Sequence, residues 1–288
     1  MYARSGFPSI DQKLGRPLRS GQICMIAGRP SMGCTTFAIN SAMRNALDGI
    51  RCLYVGIGMS HRELQERLWV AFSRDSGDGG LSWSDDSSDE EAMIAASDSL
   101  ASLPLALLAL PNHVSLDRLL CELWSTAIDS RAAAVYVDSS FTVGGGTGFF
   151  GSSITTGAKT VMRSLHWFAG ESQTAVFALA RLSRGLELRS DRRPRRSDIR
   201  GGSQIPSLAS ALVLLDRPRL REGQLQHRAD PMDVVVARGG GRGLAPVRLA
   251  FIRDELRIID PGDWPVCCDD ARLIEAVRSE ADTDSCEE

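Results

Sequence analysis

Eight consecutive residues, Gly28-Arg29-Pro30-Ser31-Met32-Gly33-Cys34-Thr35, have the types and spacing to cradle a phosphate chain. Glycines at both ends let backbone N–H groups turn inward, and a following helix adds a positive field at its N-terminus. The spacing is that of G-x4-G-K-[ST], with Cys34 standing where a lysine is expected. The Thr35 hydroxyl is placed to bind Mg²⁺, and Thr36 follows it at the start of the helix. Asp138 closes the apolar run Ala132–Asp138 (AAAVYVD) and offers a carboxylate to the same ion. The loop by itself fits a bare glycine turn equally well.

A second cluster is cationic. Arg192, Arg193, Arg195, Arg196 and Arg200 crowd into nine positions. Such a loop can hold a nucleic-acid backbone electrostatically. No aromatic residue interleaves it, so base reading is not expected, and a solvated basic loop is the plain alternative. Cys34 reads first as a small neutral residue and second as a thiol with a lowered pKa at a helix N-terminus. The seven cysteines include no CxxC pair, and His61, His113, His166 and His227 are scattered. These suggest no zinc site, and a reduced, cytoplasmic compartment is expected.

The elements that position these groups alternate between strand and helix. Gln22–Ala27 reads as a buried strand, Thr35–Leu47 as a helix, and Arg51–Ile57 as a strand. Ser60–Phe72 reads as a helix with Ser60 as N-cap and Glu63 completing a capping box. Residues 73–91 read as loop, Leu105–Leu110 as strand and Ser115–Ile128 as a helix capped by Ser115. The strand Ala132–Asp138 precedes a glycine-rich loop over Phe141–Gly157. The helix Ala158–Gly170 and the strand Thr174–Ala180 lead into the Arg-rich loop Arg184–Gly202. Ala211–Leu215 and Met232–Arg238 read as strands, and Pro246–Arg253 with Glu255–Ile259 as a closing hairpin. Alternation with buried strands defines an α/β fold with a mainly parallel sheet flanked by helices.

The chain has 288 residues, of which 43% are hydrophobic and 24% charged, which suits a folded core and argues against a fibrous or mostly disordered protein. The longest apolar run, Leu103–Leu110, contains Pro104 and is too short to cross a bilayer, so no membrane partner is expected. The chain opens without a basic segment leading into an apolar one, so no secretory leader is expected. Net charge is −3, yet residues 260–288 hold ten Asp and Glu against two Arg and carry −8, leaving +5 on residues 1–259. The organisation is thus a body over 1–259 and an acidic tail over 260–288, the body suited to an anionic partner. Of the 33 basic residues only Lys13 and Lys159 are lysines. An Arg in place of a Lys can be drift, whereas a Cys in place of a Lys is not explained that way.

Gly6-Phe7-Pro8-Ser9-Ile10-Asp11 and the stretch Gly21–Gly33 closely resemble the start of the motor domain of DnaB-type replicative helicases. Further matches follow in order. They are Gly58-Met59-Ser60 with Leu64 and Arg67-Leu68, then Val135–Asp138, Leu179–Arg184, Arg192-Arg193-Pro194, Ser197-Asp198-Ile199-Arg200, Val234–Arg238 and Val247–Phe251. The resemblance covers about 1–259. It implies a RecA-like P-loop NTPase fold, nucleotide bound by Gly28 to Thr36, and ATP with Mg²⁺ as cofactor if nucleotide binding is retained. It also implies Thr35 and Asp138 as Mg²⁺ ligands, single-stranded DNA at the arginine loop, and assembly into a ring with its own kind or with a helicase.

Where the family has a phosphate-loop lysine, this chain has Cys34, and where it has a catalytic glutamate, Gly58. Its sensor glutamine falls at Arg181, and its Lys-x-Arg finger pair at Arg238 and Gly240. Arg242, on the same alternating face as position 240, is the candidate for a displaced finger. A lost preorganised donor costs roughly 3–4 kcal/mol of transition-state stabilisation, and a lost arginine finger on the order of 10³–10⁵ in rate. Two functions fit these residues. One is a motor-domain homologue impaired in ATP hydrolysis that binds single-stranded DNA, a helicase ring, or both, in DNA replication or a related transaction. The other is an active ATP-dependent helicase or translocase that uses a relocated cation.

Overall fold

The computed structural model describes residues 2–75, 98–138, 154–200, 205–221, 229–238 and 246–260. A two-stranded ribbon, β1 (Tyr2–Ala3) with β2 (Leu18–Arg19), brackets the short helix α1 (Pro8–Leu14). The remaining strands form one nine-stranded sheet: β3 (Ile23–Gly28), β4 (Cys52–Ile57), β5 (Leu105–Leu110), β6 (Ala134–Asp138), β7 (Ala175–Arg181), β8 (Ala211–Asp216), β9 (Ala229–Arg238), β10 (Val247–Ile252) and β11 (Arg257–Ile259). Their order is β11-β10-β9-β8-β3-β7-β6-β4-β5. From β8 to β5 every pairing is parallel, and from β8 to β11 every pairing is antiparallel.

Burial explains the central strands. Every residue of β3, β4, β6 and β8 is buried, as parallel strands covered by helices on both faces must be. One face packs on α1, α2 (Cys34–Leu47) and α3 (His61–Asp75), with Phe7, Phe37, Met43 and Leu64 in its core. The other packs on α4 (Leu116–Asp129) and α5 (Ile154–Ser172), with Leu119, Leu123, Leu165 and Phe168. The helix α2 carries buried polar residues because they stitch it to distant segments. Asn40 donates to Leu256 O and accepts from Ile258 N–H, and Asn45 donates to Arg4 O and to the Tyr136 hydroxyl.

Several expectations change at the edges. Residues 154–157 belong to α5 and not to the glycine-rich loop, because Gly157 faces open space and asks nothing special of the backbone. Ser60 does accept from Glu63 N–H, but the Glu63 carboxylate turns to Arg67 at 2.9 Å, so the capping box is only half made. The strand β9 begins at Ala229, ahead of the expected Met232, and takes Pro231 into its pairing with β10. The Arg-rich loop contains two short 3₁₀ turns, Arg184–Leu188 and Arg196–Asp198. Asp260, which the charge pattern assigns to the acidic tail, is fully buried and accepts from Ser9 N–H at 2.8 Å and Ser9 O–H at 2.5 Å. It therefore ties the first turn of α1 to the end of the sheet. No helix among the described residues is long and apolar enough to cross a membrane.

Candidate functional site

The C-terminal ends of the parallel strands gather the predicted groups, where open α/β sheets place their ligand crevice. Gly28 ends β3, Gly58 follows β4, Asp138 ends β6 and Arg181 ends β7. The loop 29–33 links β3 to α2, and Gly33 at the N-cap takes φ +92°, which glycine adopts without strain. A Cβ on Gly33 would lie 2.8 Å from the Phe251 ring, so the loop rests directly on β10. No side chain caps α2. Its first N–H groups are thus the kind that an anion satisfies.

The platform under the loop is ionic. The Arg217 and Asp230 side chains form an ion pair, both essentially buried, and Arg253 joins Asp230 at 3.0 Å. The Arg217 guanidinium lies 3.9 Å over the Phe251 ring. Its Nη1 donates to Ser31 O at 3.4 Å and its backbone N–H to Met32 Sδ at 3.3 Å. These contacts hold Ser31 at φ +68°, an unusual conformation for a residue with a side chain. Sequence reasoning misses this network, because no local pattern marks Arg217 and Asp230 as partners.

Cys34 is half-buried, and its Sγ would lie 2.6 Å from a Cβ on Gly28. Burial pushes the thiol up to about 12, with the Asp138 charge adding to the rise and Arg181 opposing it. Burial thus works against the reading of Cys34 as an activated thiol, because desolvation opposes the helix field. A thiol moved from 9.0 to about 12 has about a thousandfold less thiolate at neutral pH. Alkylation at pH 8, followed by peptide mass spectrometry, is expected to label exposed Cys121 while Cys34 stays largely unmodified. Labelling of Cys34 should rise only as the pH climbs towards 12, and rapid labelling at pH 8 would contradict the enclosed thiol.

Asp138 is buried, and its Oδ2 accepts from the Tyr54 hydroxyl at 3.0 Å. Burial, then the neighbouring Asp138 charge, keeps the Tyr54 phenol well above its usual range, so it stays a donor. Thr35 is half-buried in the first turn of α2. Arg29 is engaged at 2.9 Å by Glu187, which links the loop to the 3₁₀ turn after β7. Gly58 takes φ +83°, and a Cβ there would fall 2.0 Å from Asn112 Oδ1. The Asn112 side chain thus fills the space through which a residue-58 side chain would leave the backbone. Gly240 and Arg242 lie outside the described residues.

The arginine loop is stitched to the end of β7. Arg200 N–H donates to Arg181 O at 2.9 Å, Ser183 N–H to Asp198 O at 2.6 Å, and Leu182 forms an antiparallel bridge with Ile199. Asp198 is the internal strut. It accepts two hydrogen bonds from Arg189, at 3.0 and 2.8 Å, and one from Arg195 N–H at 2.7 Å. The Arg195 side chain pairs with Asp191 at 2.8 Å. The side chains of Arg192, Arg193, Arg196 and Arg200 have no ion-pair partner among the described residues, and all but the half-buried Arg196 are exposed. Arg189, which sequence reasoning passes over, serves the loop's shape.

The residues fit a phosphate chain and one divalent ion: an uncapped helix start, a glycine cradle, a hydroxyl and a buried carboxylate. The lysine that ordinarily neutralises such a chain is absent. Among the described residues no group of three His, Cys, Asp or Glu is arranged to hold a metal by itself. The ion would therefore depend on a phosphate ligand.

The sheet order and this crevice define a RecA-like, phosphate-loop α/β domain. The chain belongs to the family of the DnaB-like helicase C terminal domain, whose sequence profile matches residues 3–259. It is 26% identical over 249 residues to the replicative DNA helicase DnaB of Leifsonia xyli, covering 86% of this chain and 53% of that protein. It is 24% identical over 258 residues to the replicative DNA helicase DnaC of Bacillus subtilis, covering 89% and 56%. The chain thus spans about half the length of the curated relatives it matches. A DnaB-like replicative helicase, solved in a study of its interactions with primase, superposes with a TM-score of 0.75 at 22% identity, covering 90% of this chain and 63% of that one. A separately solved ATPase domain superposes at 0.76, also with 22% identity, covering 90% of both chains.

Proposed function

We propose that this chain is a replicative-helicase motor domain that binds a nucleoside triphosphate, hydrolyses it poorly at best, and acts by holding single-stranded DNA within a ring. The observation that carries this reading is the joint change at Cys34 and Gly58. The loop cation is gone, and the place of the catalytic glutamate is a positive-φ glycine with Asn112 packed against it. The remaining parts of the loop support the binding half of this reading. Backbone N–H groups of the loop from Gly28 to Thr35 would take the phosphates, and Thr35 with Asp138 would hold Mg²⁺. When bound, Mg²⁺ supplies charge neutralisation at the phosphate oxygens. Tyr54 holds the Asp138 carboxylate in place.

The arginine loop supports the DNA part of the reading. Arg192, Arg196 and Arg200 are cations with no ion-pair partner among the described residues, and Arg193 adds its charge beside Asp191, on a loop hydrogen-bonded to the strand end beside the phosphate loop. The test is ATP turnover of the full chain with and without single-stranded DNA, against Asp138→Ala, alongside DNA binding by fluorescence anisotropy. Turnover indistinguishable from Asp138→Ala is expected. DNA binding is expected to weaken on changing those four arginines to Gln, with the logarithmic salt slope falling by about 0.7 per lost contact. Steady, DNA-stimulated turnover abolished by Asp138→Ala would instead establish the active helicase. An unchanged salt slope would sink the DNA assignment.

A further inference from the structure

An arginine stands on the strand next to the start of the phosphate loop. The β7 side chains alternate: Phe177 and Leu179 enter the core on the α2 side of the sheet, while Ala178 and Ala180 enter the opposite core. Arg181, two residues beyond Leu179, therefore emerges on the α2 side. Asp138, two residues beyond Tyr136, emerges on that same side. In the parallel pairing of β3 with β7, Gly28 and Arg181 are direct partners. The origin of the phosphate loop and the Arg181 backbone are thus about 4.8 Å apart across the sheet. Leu182 N–H donates to Gly28 O, and Arg181 O accepts from Arg200 N–H, so the base of this side chain is fixed from both sides. The Arg181 side chain is exposed and makes no hydrogen bond or ion pair among the described residues.

We propose that Arg181 supplies the positive charge lost at Cys34, its guanidinium binding the terminal phosphate of a nucleoside triphosphate seated on the loop from Gly28 to Thr35. The proposal rests on the nucleotide-binding reading above and adds to it a residue and a ligand preference. A guanidinium is permanently charged and presents a planar fork to phosphate oxygens. Rooted on the adjacent strand and not in the loop, it favours a triphosphate over a diphosphate. Its charge already reaches the loop, since it opposes the rise of the Cys34 thiol pKa. Binding without a residue-58 carboxylate then retains the triphosphate instead of consuming it.

Titration of the full chain with fluorescent mant-ATP and mant-ADP in Mg²⁺ tests this. Arg181→Ala is expected to weaken mant-ATP binding about ten- to hundredfold while changing mant-ADP less than about threefold. Arg181→Lys should retain most of the triphosphate preference, and Cys34→Lys added to Arg181→Ala should restore mant-ATP binding. Equal mant-ATP affinity in the unaltered chain and Arg181→Ala would overturn the role of Arg181 and leave nucleotide binding standing. Failure of the unaltered chain to bind either nucleotide would overturn both readings. Melting temperatures of the variants, expected to match the parent because the side chain is exposed, separate binding loss from unfolding.

Discussion

Asp230→Ala is expected to remove about 3–5 kcal/mol of folding stability. Asp230 is fully buried, and it neutralises Arg217, itself 3% exposed, and shares Arg253. Removing the carboxylate leaves the Arg217 guanidinium at the end of β8 without its buried counter-charge and with little water. The damage also spreads to the phosphate loop, since the same Arg217 covers Phe251 and holds Ser31 and Met32. Urea unfolding should show the midpoint falling at nearly constant slope. Replacing both partners, Arg217→Met with Asp230→Leu, should recover most of the loss, because refilled apolar volume carries no desolvation penalty. A change below about 1 kcal/mol for Asp230→Ala would mean that water screens the pair, as it does for exposed ion pairs.

The central strands are legible in the sequence because they obey one strong rule. Runs such as AVYVD in β6 and CLYVGI in β4 are apolar through and through, which a strand buried on both faces requires. The ribbon and helix at residues 2–19 escape such reading, because two-residue strands and a seven-residue helix leave no period to detect. The phosphate loop and Asp138 are visible from spacing alone, since both are local patterns next to strands. What stays hidden is non-local. Nothing in the sequence brings Asn112 to Gly58, Glu187 to Arg29 or Arg217 to Ser31. The Cys34 thiol shows the same limit: the sequence shows the helix start and not the burial that raises its pKa.

Restoring the family's charged groups one position at a time is expected to fail at residue 58. Gly58→Glu must place an L residue at φ +83° and push a Cβ to within 2.0 Å of Asn112 Oδ1. The backbone term alone costs roughly 1–2 kcal/mol. Asn112 is an exposed side chain and can swing away, but it then contests the space the carboxylate needs. In a Cys34→Lys background, Gly58→Glu should therefore lower stability by about 1–2 kcal/mol and raise DNA-stimulated ATP turnover only slightly. Adding Asn112→Ala vacates that space and lets the carboxylate settle. The gain over the Cys34→Lys/Gly58→Glu chain should be on the order of a hundredfold, the lower end for a positioned general base. Equal turnover with and without Asn112→Ala would show that the carboxylate was never obstructed. The block would then lie in the missing finger and not in the geometry at the end of β4.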